Sequence, residues 1–183
     1  MSPDLPSPWR EFLEELDGLL DEPFELHCIG GFAVVAGYGL PRSTNDLDYR
    51  TLVPYNRIEQ LQQVAGPGSA LAQKHNLYLQ YTAAAESMPE SYDERLTELC
   101  PGQFEHLRLF IPDPYDLALS KLGRNIDRDR QDVDFLAKSQ HLDPEVLRER
   151  YTKELRPIML GVIRQHDITL ELWIEAYFNK YER

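Results

Sequence analysis

Cysteine is nearly absent from this 183-residue chain, with Cys28 and Cys100 the only two. That number cannot build the disulfide framework of a small secreted domain. Long apolar runs are missing too: no stretch approaches the roughly 18 residues of a membrane span, and the mean hydropathy is -0.48. The opening MSPDLPSPWREFLEELDG has neither the basic start nor the apolar core of a secretory signal. A cytoplasmic protein with no membrane partner is therefore expected. Basic residues are also scarce, 19 Lys and Arg against 31 Asp and Glu, for a net charge of -12. Such a chain should not coat DNA non-specifically. The shortage is uneven, however. Residues 121–164 hold 10 basic and 8 acidic side chains, and the remainder holds 9 and 23. A phosphate-bearing ligand is best sought in or facing that later stretch.

Several motifs are missing as well. No G-x-x-x-x-G-K-[ST] occurs, which excludes a P-loop. Glycines 30, 31, 37 and 39 do not fit G-x-G-x-x-G, which excludes a Rossmann dinucleotide site. There is no G-x-S-x-G nucleophile elbow. His27, His75, His106, His141 and His166 show no metal-ligand spacing. Cys28, on an apolar strand, reads as a buried small hydrophobe.

What is present suffices for a core without staples, since 42% of the chain is apolar. Ser7-Pro8-Trp9 reads as a helix start, and Phe12, Leu13, Leu16, Leu19 and Leu20 recur at helical spacing. Strands are predicted over 24–29, 46–51, 77–82 and 104–111. Helices are predicted over 32–36, 56–64 with a shorter one through Ala72, 114–124, 127–139, 144–153, 157–165 and 169–181. Residues 83–102 read as irregular with one short helix. The class is α+β or α/β: a mixed sheet of about four strands, with residues 1–112 as the core and 113–183 as a helical C-terminal region. The alternative is a single continuous domain.

Two constellations carry chemistry. In the first, Gly30-Gly31 stands at a strand-to-helix junction and is followed by Asp46-Leu47-Asp48. Residues i and i+2 of a strand share a face, so the two carboxylates lie side by side. Mg²⁺ takes oxygen ligands, commonly one or two carboxylates completed by water and substrate phosphates. The glycine pair admits close approach to helix N-terminal amides, where phosphate is favoured. Taken singly, a Gly-Gly is an ordinary turn and an acidic pair is a solvated strand face; their order and separation make the combination specific.

The second constellation runs Asp116-Leu117 … Lys121 … Arg128-Asp129-Arg130-Gln131-Asp132. As one helix, it would bury Leu119, Leu122, Ile126, Val133 and Leu136. Asp129 would fall inside that stripe, in need of Lys121 or Arg128 as a partner. If Gly123-Arg124-Asn125 breaks the helix, Asp127 becomes its N-cap and Asp129 enters the first turn. A salt-bridged surface helix is the plain reading. A functional one sets Lys121 on a phosphate and leaves Asp129 or Asp132 to orient a base, sugar or acceptor. The aromatic set Trp173, Tyr177, Phe178 and Tyr181 reads as packing of the last helix or as a partner-docking face.

The order Ile29-Gly30-Gly31, Asp46-Leu47-Asp48 resembles the nucleotidyltransferase superfamily, with its DNA-polymerase-β-like fold. The approach Arg42-Ser43-Thr44-x-Asp46 and the downstream Asp-Leu…Lys…Arg-Asp-x-x-Asp helix are similar to its AbiEii-like bacterial branch, many of whose members are toxins of toxin–antitoxin pairs. Pro89…Tyr92-x-x-Arg95-Leu96 resembles a linking segment of related members. The likeness spans roughly residues 26–137. Position 32 departs from it, with Phe in place of a small hydroxyl residue.

The resemblance implies transfer of a nucleotide from Mg²⁺-NTP (or Mn²⁺-NTP) to an acceptor, either tRNA or protein, with a cognate antitoxin as partner. Asp46 and Asp48 would hold the metal, with Glu105 the candidate for the superfamily's third carboxylate. Gly30, Gly31, Arg42, Ser43 and Thr44 would meet the phosphates, and Lys121 and Arg128 the triphosphate. Asp129 would serve in catalysis and Asp132 in nucleotide binding. The alternative is a catalytically degenerate binding or regulatory protein that keeps the fold.

Overall fold

The structure is a computed structural model that describes residues 5–82 and 88–178. The chain divides into two compact units, Met1–Ala83 with Leu96–Pro112, and Ala84–Arg95 with Asp113–Arg183. The described residues 88–95, which lie within 1–112, fall in the second unit.

The first unit is built on a mixed sheet of β1 (Phe24–Ile29), β2 (Asp46–Val53), β3 (Tyr78–Tyr81), β4 (Thr97–Leu99) and β5 (Leu107–Ile111). Their order is β3-β2-β1-β5-β4, five strands where four were read. β1 runs antiparallel to β2 and parallel to β5, while β3 lies parallel to β2 on the outer edge. On β2, Leu47 and Tyr49 are buried by simple alternation, and Leu52 returns to the buried face because the register with β1 shifts between Tyr49 and Thr51.

Helix α1 (Trp9–Leu19) buries Trp9, Phe12, Leu13 and Leu16 at helical spacing. Ser7 does not cap a backbone amide; its hydroxyl donates to Glu11 Oε1 at 2.9 Å, and Pro8 occupies the N-cap position. Near the end of α1, the Asp17 carboxylate accepts the backbone N–H groups of Glu105, His106 and Leu107 at 2.9, 2.8 and 2.8 Å, which fixes where β5 begins. Helix α2 (Gly30–Tyr38) starts on the residue after β1. α2 approaches β5 closely: Ile111 Cδ1 leaves no room for a β-carbon at Gly37. The remaining helices of this unit are α3 (Ile58–Ala65) and α4 (Ala70–His75).

The second unit is helical: a 3₁₀ turn at Tyr92–Arg95, then α5 (Pro114–Ser120), α6 (Asp127–Ser139), α7 (Pro144–Arg150) and α8 (Ile163–Trp173). Asp113 and Asp143 cap α5 and α7 through the Asp116 and Glu145 amides, with proline at each helix start. Helices predicted over 157–165 and 169–181 are replaced by the single α8, which continues through a π-helical turn at Ile174–Phe178. Pro157 lies in a 3₁₀ turn and Gly161 has φ +100°, so helix begins only at Ile163. Trp173 and Phe178 are buried; Tyr181 lies outside the described residues. No described helix is long and apolar enough to cross a membrane.

Candidate active site

β2 delivers Asp46 and Asp48 to one face of the sheet, both half-buried, while the intervening Leu47 points into the core. Cross-strand from Asp48 stands Ile29, the last residue of β1. The chain then turns at Gly30, whose φ of +66° is a left-handed conformation that costs side-chain-bearing residues about 1–2 kcal/mol. A β-carbon there would also stand 2.6 Å from Asp48 Oδ2. Glycine at position 30 therefore satisfies two independent requirements, and it brings the N-terminus of α2 against a carboxylate. The N-cap residue, Ile29, has no side-chain group that could cap that terminus.

The loop before β2 closes over the same turn. Arg42 is half-buried, and its guanidinium lies 3.0 Å from where a β-carbon of Gly31 would stand; the Thr44 hydroxyl is 3.5 Å from that point. Thr44 donates to Asp46 Oδ1 at 2.7 Å, fixing that carboxylate's rotamer. Its backbone carbonyl accepts the Trp9 indole N–H at 3.2 Å, and the Trp9 ring meets Phe32 edge-on at 4.9 Å. Phe32 is fully buried. It serves the core instead of the site, and Thr44 supplies the hydroxyl beside Gly31. Ser43 is exposed.

Sequence reasoning missed Trp9 and Tyr78. Tyr78 is the register partner of Asp46 on β3 and is half-buried on the carboxylate face. Burial first, then the Asp46 and Asp48 charges, raise its phenol above the ordinary value. It stays a neutral donor near neutral pH. Periodicity marked 77–82 as a strand, but only the β2–β3 register sets this ring beside the acids.

Glu105 corrects the sequence reading. It precedes β5, is exposed, and has its backbone anchored to Asp17. Leu107 pairs with Phe24 at the start of β1, whereas Asp48 pairs with Ile29 at its end. Five strand steps, about 17 Å, separate those levels. Glu105 therefore does not complete the Asp46–Asp48 pair. Among the described residues there is no group of three or more His, Cys, Asp or Glu side chains able to hold a metal ion. Two carboxylates on one open face nonetheless fit a single hard divalent cation, which takes one or two carboxylates and fills its other positions with water and phosphate oxygens.

The second unit gathers other residues singled out in the sequence. Helix breaks between Ser120 and Asp127, and Ile126, expected in a buried stripe, is 47% exposed. Asp127 is the first residue of α6, with Ile126 at the N-cap. The Asp129 carboxylate returns to the Ile126 N–H at 3.1 Å and takes Arg124 in a two-pronged contact at 2.8 and 2.6 Å. Lys121 is fully buried, its Nζ 2.9 Å from Asp132 Oδ2 and 3.9 Å from Asp129 Oδ1. Burial works to raise the Asp129 carboxyl, but Arg124, Lys121 and the Ile126 amide outweigh it and hold the group below its ordinary value. Lys121, Asp129 and Asp132 thus form one buried cluster, joined at the surface by the exposed Arg124, while Arg128 is exposed. Arg95 forks onto Asp116 at 2.9 and 3.1 Å and onto Glu154 at 3.2 and 2.7 Å. Arg150 joins them through Asp113 at 2.6 Å and Asp116 at 3.0 Å.

A five-stranded mixed sheet flanked by helices, with an acidic pair on one strand facing a glycine turn at a helix start, defines a nucleotidyltransferase-like fold. The chain belongs to the family described as "Nucleotidyltransferase of unknown function (DUF6036)", whose model matches residues 10–181. No curated protein and no solved structure matches it.

Proposed function

We propose that this protein is a metal-dependent nucleotidyltransferase that moves a nucleotide from an NTP to an acceptor hydroxyl. The acceptor oxygen forms a bond to the α-phosphorus, the bond from that phosphorus to the bridging oxygen breaks, pyrophosphate leaves, and the hydroxyl proton passes to water. Asp46 and Asp48 would hold the cation, and the Thr44 hydroxyl fixes the rotamer of the Asp46 carboxylate. Mg²⁺ or Mn²⁺, when bound, supplies positive charge where the phosphates and leaving group are most negative. The start of α2 and the Arg42 guanidinium receive phosphate oxygens.

The observation that carries this reading is the contact of Gly30 with Asp48. A carboxylate seated 2.6 Å from the missing β-carbon keeps a helix N-terminus and an acidic pair together and leaves room for no side chain. Such a juxtaposition suits a metal–phosphate ligand, which carries both signs of charge. The resemblance to the AbiEii-like branch extends the proposal to tRNA or protein as acceptor and to a cognate antitoxin as partner. Incubation with each α-³²P-labelled NTP, Mg²⁺ and either total tRNA or lysate protein tests it. Label should enter one acceptor class, and Asp46→Asn or Asp48→Asn should abolish the transfer. Absence of label with all four nucleotides in both acceptor pools would contradict it.

A second reading, a binding protein that has lost turnover, is favoured by one observation: Glu105 stands at the far end of β1 from Asp48, and no third ligand joins the pair among the described residues. It predicts Mg²⁺-dependent NTP binding without release of pyrophosphate.

A further inference from the structure

A ligand seated on the Asp46–Asp48 pair has two flanks to extend over, and they differ. On one side is Ile29, the cross-strand partner of Asp48, which is fully buried. That flank is already covered. On the other side is β3, where Tyr78 stands opposite Asp46 and Gln80 opposite Asp48. Tyr78 is half-buried and Gln80 exposed. Among the described residues β3 is the outer strand of the sheet, so no further strand limits a ligand there. Neighbouring strands are about 4.8 Å apart, which puts the Tyr78 side chain one strand spacing from the acids.

Tyr78 also differs from other tyrosines of this chain in what its hydroxyl does. Tyr38 donates to the Pro112 carbonyl at 2.8 Å and Tyr151 to Asp167 Oδ1 at 2.7 Å, while Tyr49 accepts from Gln62 at 2.9 Å. The Tyr78 phenol faces the Asp46 and Asp48 charges and makes no hydrogen bond to any described residue. A large aromatic ring, half-exposed beside two carboxylates, offers a flat apolar face to a ligand seated on them. Tyrosine typically finds a partner for its hydroxyl where it is buried, and a ring that stays open serves as a contact surface.

We propose that Tyr78 is the nucleobase-stacking residue of the site: the ligand's phosphates lie against Gly30, Arg42 and the carboxylate pair, and its base lies on the Tyr78 ring over β3. This assignment rests on the nucleotide-binding reading given above and names the part of the nucleotide that the acids cannot recognise. Stacking on an aromatic face tolerates any base, so the ring contributes affinity more than base choice. Gln80, one pleat further along the same face, is placed to discriminate between base edges.

Calorimetric titration of the full chain with Mg²⁺-ATP and with Mg²⁺-tripolyphosphate separates the two halves of the ligand. Tyr78→Ala should weaken ATP binding by roughly tenfold or more, and Tyr78→Phe should bind ATP within about twofold of the native protein, because the ring is retained. Tripolyphosphate, which has no base, should bind all three proteins equally. Unchanged circular dichroism and thermal unfolding of Tyr78→Ala would show that its loss is local. If native protein binds ATP and Tyr78→Ala binds it equally well, the stacking assignment is overturned and the nucleotide site stands. Equal weakening of ATP and tripolyphosphate by Tyr78→Ala would also overturn it, since the ring would then act on the phosphate end. If the native protein binds neither ligand, the nucleotide-binding reading itself fails and the stacking role with it.

Discussion

The Asp48 carboxylate fills the space that a side chain at position 30 would need, its Oδ2 lying 2.6 Å from where the Gly30 β-carbon would be. This contact ties the start of α2 to the first half of β2 and makes the glycine part of the site. Gly30→Ala should therefore do two kinds of damage. A left-handed φ of +66° imposes strain of about 1–2 kcal/mol on alanine, and the collision displaces the carboxylate. Urea unfolding should report the strain, and Mg²⁺-NTP titration should report lost binding. Gly31→Ala meets the end of the flexible Arg42 side chain at 3.0 Å and the Thr44 hydroxyl at an ordinary 3.5 Å, and should be milder in both measurements.

Thr44→Val removes the hydroxyl that Asp46 Oδ1 accepts at 2.7 Å while keeping the volume. A hydrogen bond to a charged group is worth about 1.5–3 kcal/mol when buried, less at a half-open site. Mg²⁺-NTP affinity should fall several-fold, with little change in unfolding. If affinity is unchanged, Thr44 does not orient the carboxylate.

Lys121 and Asp132 form an ion pair at 2.9 Å with both side chains excluded from water. Removing one member of a buried pair typically costs about 3–5 kcal/mol, because the other charge is left unpaired. Lys121→Met should lower the urea midpoint strongly, and the double variant Lys121→Met/Asp132→Asn should recover part of the loss. If the double variant is no better than the single one, the pairing account fails.

At low pH a different contact matters. Hydrogen bonds from Arg156 and then Tyr151 pull the Asp167 carboxyl down to about 2. Because the folded-state value lies below the ordinary aspartate value of about 3.9, the contribution is complete above that pH and disappears as pH falls toward the folded value. Arg156→Gln should flatten this part of the stability–pH curve between about pH 4 and pH 2 while leaving the region above pH 5 parallel to the native curve. The side chain of Asp167 is 37% exposed, so the effect should shrink in high salt.

The local parts of this account were legible in the sequence, and the long-range parts were not. Asp46 and Asp48 share a face because strands alternate, and Gly30-Gly31 marks a turn because no other residue is so permissive; both follow from neighbours within a few positions. Glu105 was misplaced because its alternation with Leu107 and Leu109 says nothing about which end of the sheet it occupies. That depends on Leu107 pairing with Phe24 and on three amides captured by Asp17. β4 escaped notice because three residues are too few for a period to appear. The partner of Asp129 was sought at Lys121 or Arg128, and the closest contact proved to be Arg124, which the broken helix brings back onto the first turn of α6. Tyr78 was invisible as a site residue because its neighbours there come from another strand.

The most direct test of the central claim is calorimetric titration of the full chain with NTP in the presence and absence of Mg²⁺, for the native protein and for Asp46→Asn/Asp48→Asn. The account predicts saturable binding by the native protein that needs the metal, and its loss in the double variant with the fold retained by circular dichroism. Equal binding by the two proteins, or native binding that ignores Mg²⁺, would contradict the assignment of this carboxylate pair.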